Sequence, residues 1–386
     1  MKKLRLFLII FAVLLCGCGL SSDNSAETEN TSCAAAETAA ETESETESET
    51  ETESETESET EDLHEYDFTV CFAGDINLDE DWETTAMLDS VGGDIYQCIS
   101  PELIEIMQEA DIMCLNNEFT YGTDTTALSG KAYTFRADPS RVSVLNALGV
   151  DVVTLANNHV YDYGEEGLIS TFETLEEAGI EYFGAGRTLE EAMEPVYIEV
   201  DGKTVAFVGA SRAEKYQIVT PQATETSAGI LRCYDTELFL EVIEEARENA
   251  DFVIAYVHWG TEYSSELEDV QTETGRLYLD AGCDIVIGAH SHCLQGIEYY
   301  DGKAIVYSLG NYWFNDKTLD TMLLQLHFYG DDEGGTLELT LVPAVQSGCV
   351  TQIASDETEA ERIYDYIESI SVNITIDENG NVSESE

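Results

Sequence analysis

Between residues 66 and 345, short apolar runs of strand length alternate with segments whose apolar residues recur every three to four positions. That alternation confines the chain to an α/β architecture, in which helices cover the faces of buried sheets. The strand-like runs fall at 68–73, 112–115, 150–155, 204–209, 252–257, 284–287, 322–328 and 336–342. Helical spacing is present at 96–110, 139–148, 165–178, 236–249, 267–281 and 357–367. Asp301 and Gly302 predict a hairpin turn.

One pattern says more than the topology. Asp75, Glu118, Asn158, His258 and His290 each lie at or just past the C-terminal end of a predicted strand. In open α/β sheets that edge is where ligands bind. Carboxylate oxygen, amide oxygen and imidazole nitrogen are also the donors that hold divalent metals. The chain has six histidines. His64 belongs to an acidic polar stretch and His327 to a strand, while His159, His258, His290 and His292 all fall in strand-end motifs. Two imidazoles two residues apart, as in His290-Ser-His292, can face one or two ions from a single turn. Ten cysteines include no CxxC pair, which argues against a structural zinc knot.

Charge excludes whole classes of function. Lys and Arg number 16 against 79 Asp and Glu, a formal net charge of −63. Binding of nucleic acid through a basic face is therefore excluded, and docking on anionic headgroups is disfavoured. The first residues are basic, 6–15 are apolar, and Leu15-Cys-Gly-Cys18 resembles the bacterial lipobox. On that reading 1–18 is a lipoprotein signal peptide and Cys18 carries the lipid. Two acyl chains then anchor the protein in the bilayer at the extracytoplasmic face of the cell membrane. Residues 19–65 read as a disordered tether, because Glu alternating with Thr and Ser over 41–61 cannot bury enough surface to offset ordering entropy. The folded domain is expected at 66–370, with 371–386 as an acidic C-terminal tail.

Taken together, Phe72-Ala-Gly-Asp75, Asn117-Glu118, Phe135-Arg-Ala-Asp-Pro139, Leu155-Ala-Asn-Asn-His-Val-Tyr-Asp-Tyr-Gly164, Val257-His-Trp-Gly260, Gly288-Ala-His-Ser-His292 and Tyr307-Ser-Leu-Gly-Asn311 carry a resemblance. The chain resembles the capsule-synthesis (CapA) family of bacterial poly-γ-glutamate production, a branch of the calcineurin-like metallophosphoesterase superfamily. The resemblance implies a layered sandwich of central β-sheets flanked by helices. It also implies two divalent metal ions (Mn, Fe or Zn) that clamp a phosphoryl group about 3.5–4 Å apart. Asp75 and His292 would hold the first metal, Glu118 would bridge, and Asn158, His258 and His290 would hold the second. His159 would protonate the leaving oxygen, with Asp162 orienting its ring. Arg136 and Asn311 would contact substrate or support the ligands. The chain departs from the superfamily at Asp75-Ile-Asn77, where a histidine is usual in place of Asn77.

Two functions follow from the resemblance. One is a metal-dependent hydrolase acting on a phosphoester, or another anionic bond, of an envelope polymer. The other is a non-catalytic assembly or export factor that binds polymer through the metal site beside membrane-bound capsule synthase subunits. A decayed scaffold is a third reading, against which the His159–Asp162 pair argues. An acidic domain repels polyglutamate over a Debye length of about 8 Å, so a polyanion would need local capture by metals, Arg136 or Lys131.

Overall fold

The computed structural model describes residues 65–123 and 125–385. The signal segment, Cys18 and all of the tether but Glu65 lie outside the described residues. Two sheets carry the architecture. In the larger, Tyr66–Ile76 lies at the centre; Ile112–Asn117, Val152–Thr154 and Glu181–Phe183 extend it in parallel on one side. Leu319–Asp331 and Gly334–Ser347 extend it antiparallel on the other. In the second sheet Lys203–Ser211, Phe252–His258, Ile285–Ala289 and Lys303–Leu309 are parallel, and an antiparallel hairpin strand closes each edge.

Side-chain alternation sorts the core into layers. From the central strand, Phe68, Val70 and Phe72 point toward the second sheet and pack with Phe207, Ile254, Tyr256 and Ile287. Cys71 and Ala73 point the other way, under helices Pro101–Glu109, Val142–Leu148 and Gly164–Ala178. The outer face of the second sheet is covered by helices Glu237–Asn249 and Asp269–Ala281. Each helix buries one stripe, as Leu168, Phe172 and Leu175 or Phe239, Val242, Ile243 and Ala246 show. The expected layered α/β sandwich is therefore present, as helix, sheet, sheet, helix. Among the described residues no helix is long and apolar enough to cross a membrane.

Residues 371–385, the described part of the expected tail 371–386, correct an expectation. Ile374–Ile376 and Asn381–Glu384 pair with each other, and Asn381–Glu384 joins Gly334–Ser347 through Leu339 with Val382 and Thr340 with Asn381. The segment is an edge of the larger sheet, not a tail. Its apolar anchor is the buried Val382 among exposed polar neighbours, which hides the strand pattern. The hairpin strand Val196–Val200 likewise escapes the sequence pattern; it turns through Asp201 and Gly202, both in the left-handed region.

The chain crosses from the second sheet to the first at Gly310, between Lys303–Leu309 and the short strand Asn311–Trp313 that pairs with Tyr66–Ile76. The Gly310 carbonyl accepts from Asp75 N at 2.9 Å. A Cβ on Gly74 would sit 2.0 Å from the same oxygen. Only glycine permits this backbone approach, and it lies immediately behind Asp75. Gly74→Ala should lower stability by at least the roughly 1–3 kcal/mol of an overpacked core, read as a lower urea midpoint. An unchanged midpoint would show that the crossing yields at little cost.

Candidate metal centre

The strand ends of both sheets converge on one cluster. Asp75 is the penultimate residue of the central strand, Glu118 follows Ile112–Asn117, and Asn158 follows Val152–Thr154. From the second sheet come His258, at the end of its strand, and His290, just past Ile285–Ala289. Two sets of donor atoms each lie within 4.8 Å of one another: Glu118, His258 and His290 form one, and Asp75, Glu118 and His292 the other. Glu118 belongs to both. The side chains of Asp75 and Glu118 are fully buried, and His258 nearly so.

The donor atoms face a common region. His258 Nε2 is 2.8 Å from Asn158 Oδ1 and 3.4 Å from Glu118 Oε1. His292 Nδ1 is 2.8 Å from Asn311 Oδ1 and 3.2 Å from Asp75 Oδ2, while its Nε2 is turned toward Glu118 Oε1 at 3.9 Å. With the proton on Nδ1 facing Asn311, Nε2 keeps its lone pair for a metal. Asp75 Oδ2, Glu118 Oε1 and His290 Nδ1 are buried without a hydrogen-bond partner among the described residues. Three orphaned polar atoms of donor type in one buried cluster fit divalent metal ions. His290 and His292 both adopt positive φ, 92° and 53°. This backbone is strained for residues bearing a Cβ, and it aims both rings from one turn.

Asn116 ties the acidic half together. Its Nδ2 lies 2.8 Å from Asp75 Oδ1, 3.4 Å from Glu118 Oε2 and 3.4 Å from His258 Nδ1. Asn157 in turn donates to Asn116 Oδ1 and to the Asn117 carbonyl, and its Oδ1 accepts from His159 N and Val160 N. Electrostatics match this geometry. Burial, then the neighbouring Asp75, push Glu118 well above its ordinary value. Burial also raises Asp75, but His292, His258 and Asn116 outweigh it and hold the carboxyl low. Burial drives His258 down to about 3 and His290 well below the imidazole range. Neutral imidazoles are the form that ligates metal.

His159 stands outside both donor sets. Its Nδ1 is 2.7 Å from Asp162 Oδ2, as expected of an orienting carboxylate. Asp162 Oδ2 also accepts from Phe135 N at 2.8 Å, and Oδ1 pairs with Lys131, whose ammonium donates to the Asn158 carbonyl as well. His159 and His292 line one cleft of about 340 Å³ with Trp82, Phe135, Tyr263 and Phe314. The Phe135 ring packs on His159 and the Phe314 ring on His292, with centroids 4.4 and 4.5 Å apart.

Arg136 and Asn311, expected to contact substrate or to support the ligands, are both held by groups of the protein. The Arg136 guanidinium lies over the Tyr163 ring at 4.8 Å and donates to the Thr125 carbonyl, so it braces a loop and does not line the cleft. Asn311 is wholly buried and serves His292. Asn77 Oδ1 accepts from Asp79 N at 2.8 Å and brings no replacement for the missing histidine. The sequence reading missed Asn116 and the pairing of Lys131 with Asp162. Asn116 had a signal, since it directly precedes Asn117 and Glu118 at a strand end. Lys131, weighed in the sequence only as a point of polyanion capture, had none that tied it to Asp162, 31 residues away.

A buried carboxylate held well above its ordinary value favours its protonated form in the fold. Without metal, Glu118 therefore removes stability progressively as pH rises above about 4.3, where the unfolded carboxyl ionises. In chelator, Glu118→Gln should unfold at a higher temperature than wild type, and the gap should widen from pH 5 to pH 8. Added divalent metal should raise the midpoint of wild type and leave Glu118→Gln unmoved. A variant less stable than wild type at pH 8 in chelator would refute the desolvated-charge reading.

The site residues all lie in a segment that matches known proteins. The profile of the family described as "Bacterial capsule synthesis protein PGA_cap" matches residues 69–316. The PGA biosynthesis protein CapA of Bacillus subtilis (strain 168) is 32% identical over 270 residues, covering 68% of this chain and 68% of that protein. The capsule biosynthesis protein CapA of Bacillus anthracis is 33% identical over 236 residues, 59% of this chain and 56% of that protein, so the match spans little more than half of that relative. Among solved structures, a hypothetical protein from Thermus thermophilus aligns with a TM-score of 0.41 at 17% identity, over 72% of this chain and 99% of that one. A likeness of that size adds nothing to the fold read from the strand order. With the profile covering most of the chain and both strand-end clusters inside it, the chain belongs to the bacterial capsule synthesis protein family PGA_cap.

Proposed function

We propose that this chain is a metal-dependent hydrolase of the metallophosphoesterase type, acting in the synthesis of capsule, poly-γ-glutamate or a related envelope polymer. The observation that carries the reading is two buried donor sets sharing Glu118, with the His159–Asp162 pair set beside them and outside both. Asp75, Glu118 and His292 would hold one ion; Glu118, Asn158, His258 and His290 would hold the other. Ions there would supply Lewis-acid stabilisation of a phosphoryl oxygen and an activated water.

The chain's own residues do the rest. Asp162 holds the His159 proton at Nδ1, so Nε2 is the atom that exchanges a proton with the leaving group. Lys131 pairs with Asp162 and fixes it in place. Phe135 and Phe314 pack on the two imidazoles and give the cleft an apolar wall beside them, where electrostatic interactions are stronger than in water.

A second reading, a metal-binding assembly or export factor without turnover, is favoured by Asn77. Its amide oxygen turns away, leaving the Asp75 set with a single imidazole.

Localisation and partners are proposed from the sequence. Cys18 would carry the lipid and hold the domain at the extracytoplasmic face of the membrane, next to membrane-bound synthase subunits and an anionic polymer or phosphoester. Cys18→Ala should leave unprocessed precursor or release the protein from the membrane; a variant of mature size that still fractionates with the membrane as wild type does would rule out the lipid anchor.

Metal content and turnover of phosphoesters, measured on the same preparations, separate the two readings. His159→Ala should retain bound metal and lose about 10²–10⁴ in rate on an alkyl phosphoester. The loss should be smaller on a nitrophenyl ester, whose leaving group needs no proton. His258→Ala should lose metal and activity together, and Asp162→Asn should fall between wild type and His159→Ala. Metal lost from His159→Ala would overturn its assignment. Wild type that binds metal and turns over no ester would leave the assembly factor as the function.

A further inference from the structure

Cations are scarce in this chain, 16 against 79 acidic residues, and most of those described are committed. Lys131, Arg141, Lys203, Arg247 and Arg276 each pair with a carboxylate. Lys317 differs. Its ammonium has no ion pair or side-chain hydrogen bond among the described residues and lies 3.5 Å from the centroid of the Tyr263 ring. Both residues line the cleft that contains His159 and His292.

The mounting is firm on both sides. Tyr263 N donates to the Ser291 carbonyl at 2.6 Å, in the turn between His290 and His292, and its ring centroid is 5.8 Å from that of His292. Lys317 N donates to Asn315 Oδ1, an atom that Gln346 also holds. One aromatic ring thus separates the ammonium from the metal-side imidazole. A ring face attracts an ammonium without neutralising its charge. The cation stays free to make a charge-assisted hydrogen bond to an anion entering the cleft, which a lysine already paired with a carboxylate could not do. Glu83, Glu262 and Asp316 border the same cleft, so anions beside it are repelled.

We propose that Lys317 is a specificity-determining residue that binds a second anionic group of the substrate, one carried on the portion that stays outside the metal site. The inference rests on the phosphoester reading above and narrows it. The preferred substrate is an ester with one isolated carboxylate or phosphate about a ring's width from the reacting group, and a closely spaced run of carboxylates fits less well.

The test uses the metal-loaded full chain carrying His159→Ala to halt turnover, and titration calorimetry with two probes, phenyl phosphate and 4-carboxyphenyl phosphate. The carboxylated probe should bind about fivefold to tenfold more tightly, the range of a partly exposed charge pair, and the preference should shrink with added salt. Lys317→Gln should abolish the preference while leaving metal content and phenyl phosphate affinity unchanged; Lys317→Arg should keep most of it. A preference absent before the Lys317 substitution, or one that survives Lys317→Gln, overturns the inference alone. If metal is bound and neither ester binds, the phosphoester reading falls with it.

Discussion

A fully buried carboxylate with one oxygen unpaired is a liability to any fold, and this domain is organised around keeping one. Glu118 sits between His258, His292 and Asp75, with burial and a like charge both opposing its ionisation. The amide that donates to it, from Asn116, is 3.4 Å away and shared with Asp75 and His258. A fold selected only for stability would place an apolar residue or an amide here. A dication placed between Glu118 and its neighbours would reverse each of these terms, and the buried neutral imidazoles face the same region. The stability deficit and the metal-binding capacity are therefore one property of the same atoms.

That arrangement depends on the two sheets. Asp75, Glu118 and Asn158 come from the larger sheet, and His258, His290 and His292 from the strands and turn of the second. The spacing of the donors is therefore set by the core between the sheets, where Phe68, Val70 and Phe72 meet Phe207, Ile254 and Tyr256. A repacking of that layer would alter the relation of every carboxylate to every imidazole without touching a ligand.

The candidate donor cluster was legible in the sequence because strand ends are. A run such as 252–257 can be read as a buried strand, and the residue that ends it, His258, then has to lie on the sheet edge. The same logic located Asp75, Glu118, Asn158 and His290. It failed wherever position depends on a partner remote in sequence. Arg136 looked available as a scarce cation, but Tyr163 and the Thr125 carbonyl claim it. For Asn311 the sequence left substrate contact and ligand support both open, and only its burial against His292 favours the support. The edge strands at the C-terminus were hidden because an exposed edge needs few apolar residues, and Val382 alone does not make a period-two pattern.

The motifs also conceal a division between the side that offers donor atoms and the side that, on the proposed reading, would move a proton. Asn158 and His159 are adjacent, yet the Asn158 side chain faces His258 while the His159 ring faces Asp162. Asn157 makes this possible: its side chain accepts from the backbone N–H groups of His159 and Val160 and so folds the turn back on itself. Lys131 then bridges the Asn158 carbonyl and Asp162, linking the Asn158 and His159 sides of the turn through one ammonium. An assembly factor would require the Asn158 side of this turn and have no use for the other. The ion pair behind His159 supplies no donor atom to either cluster, so under the proposed hydrolase reading its part would be to hold the ring for proton transfer.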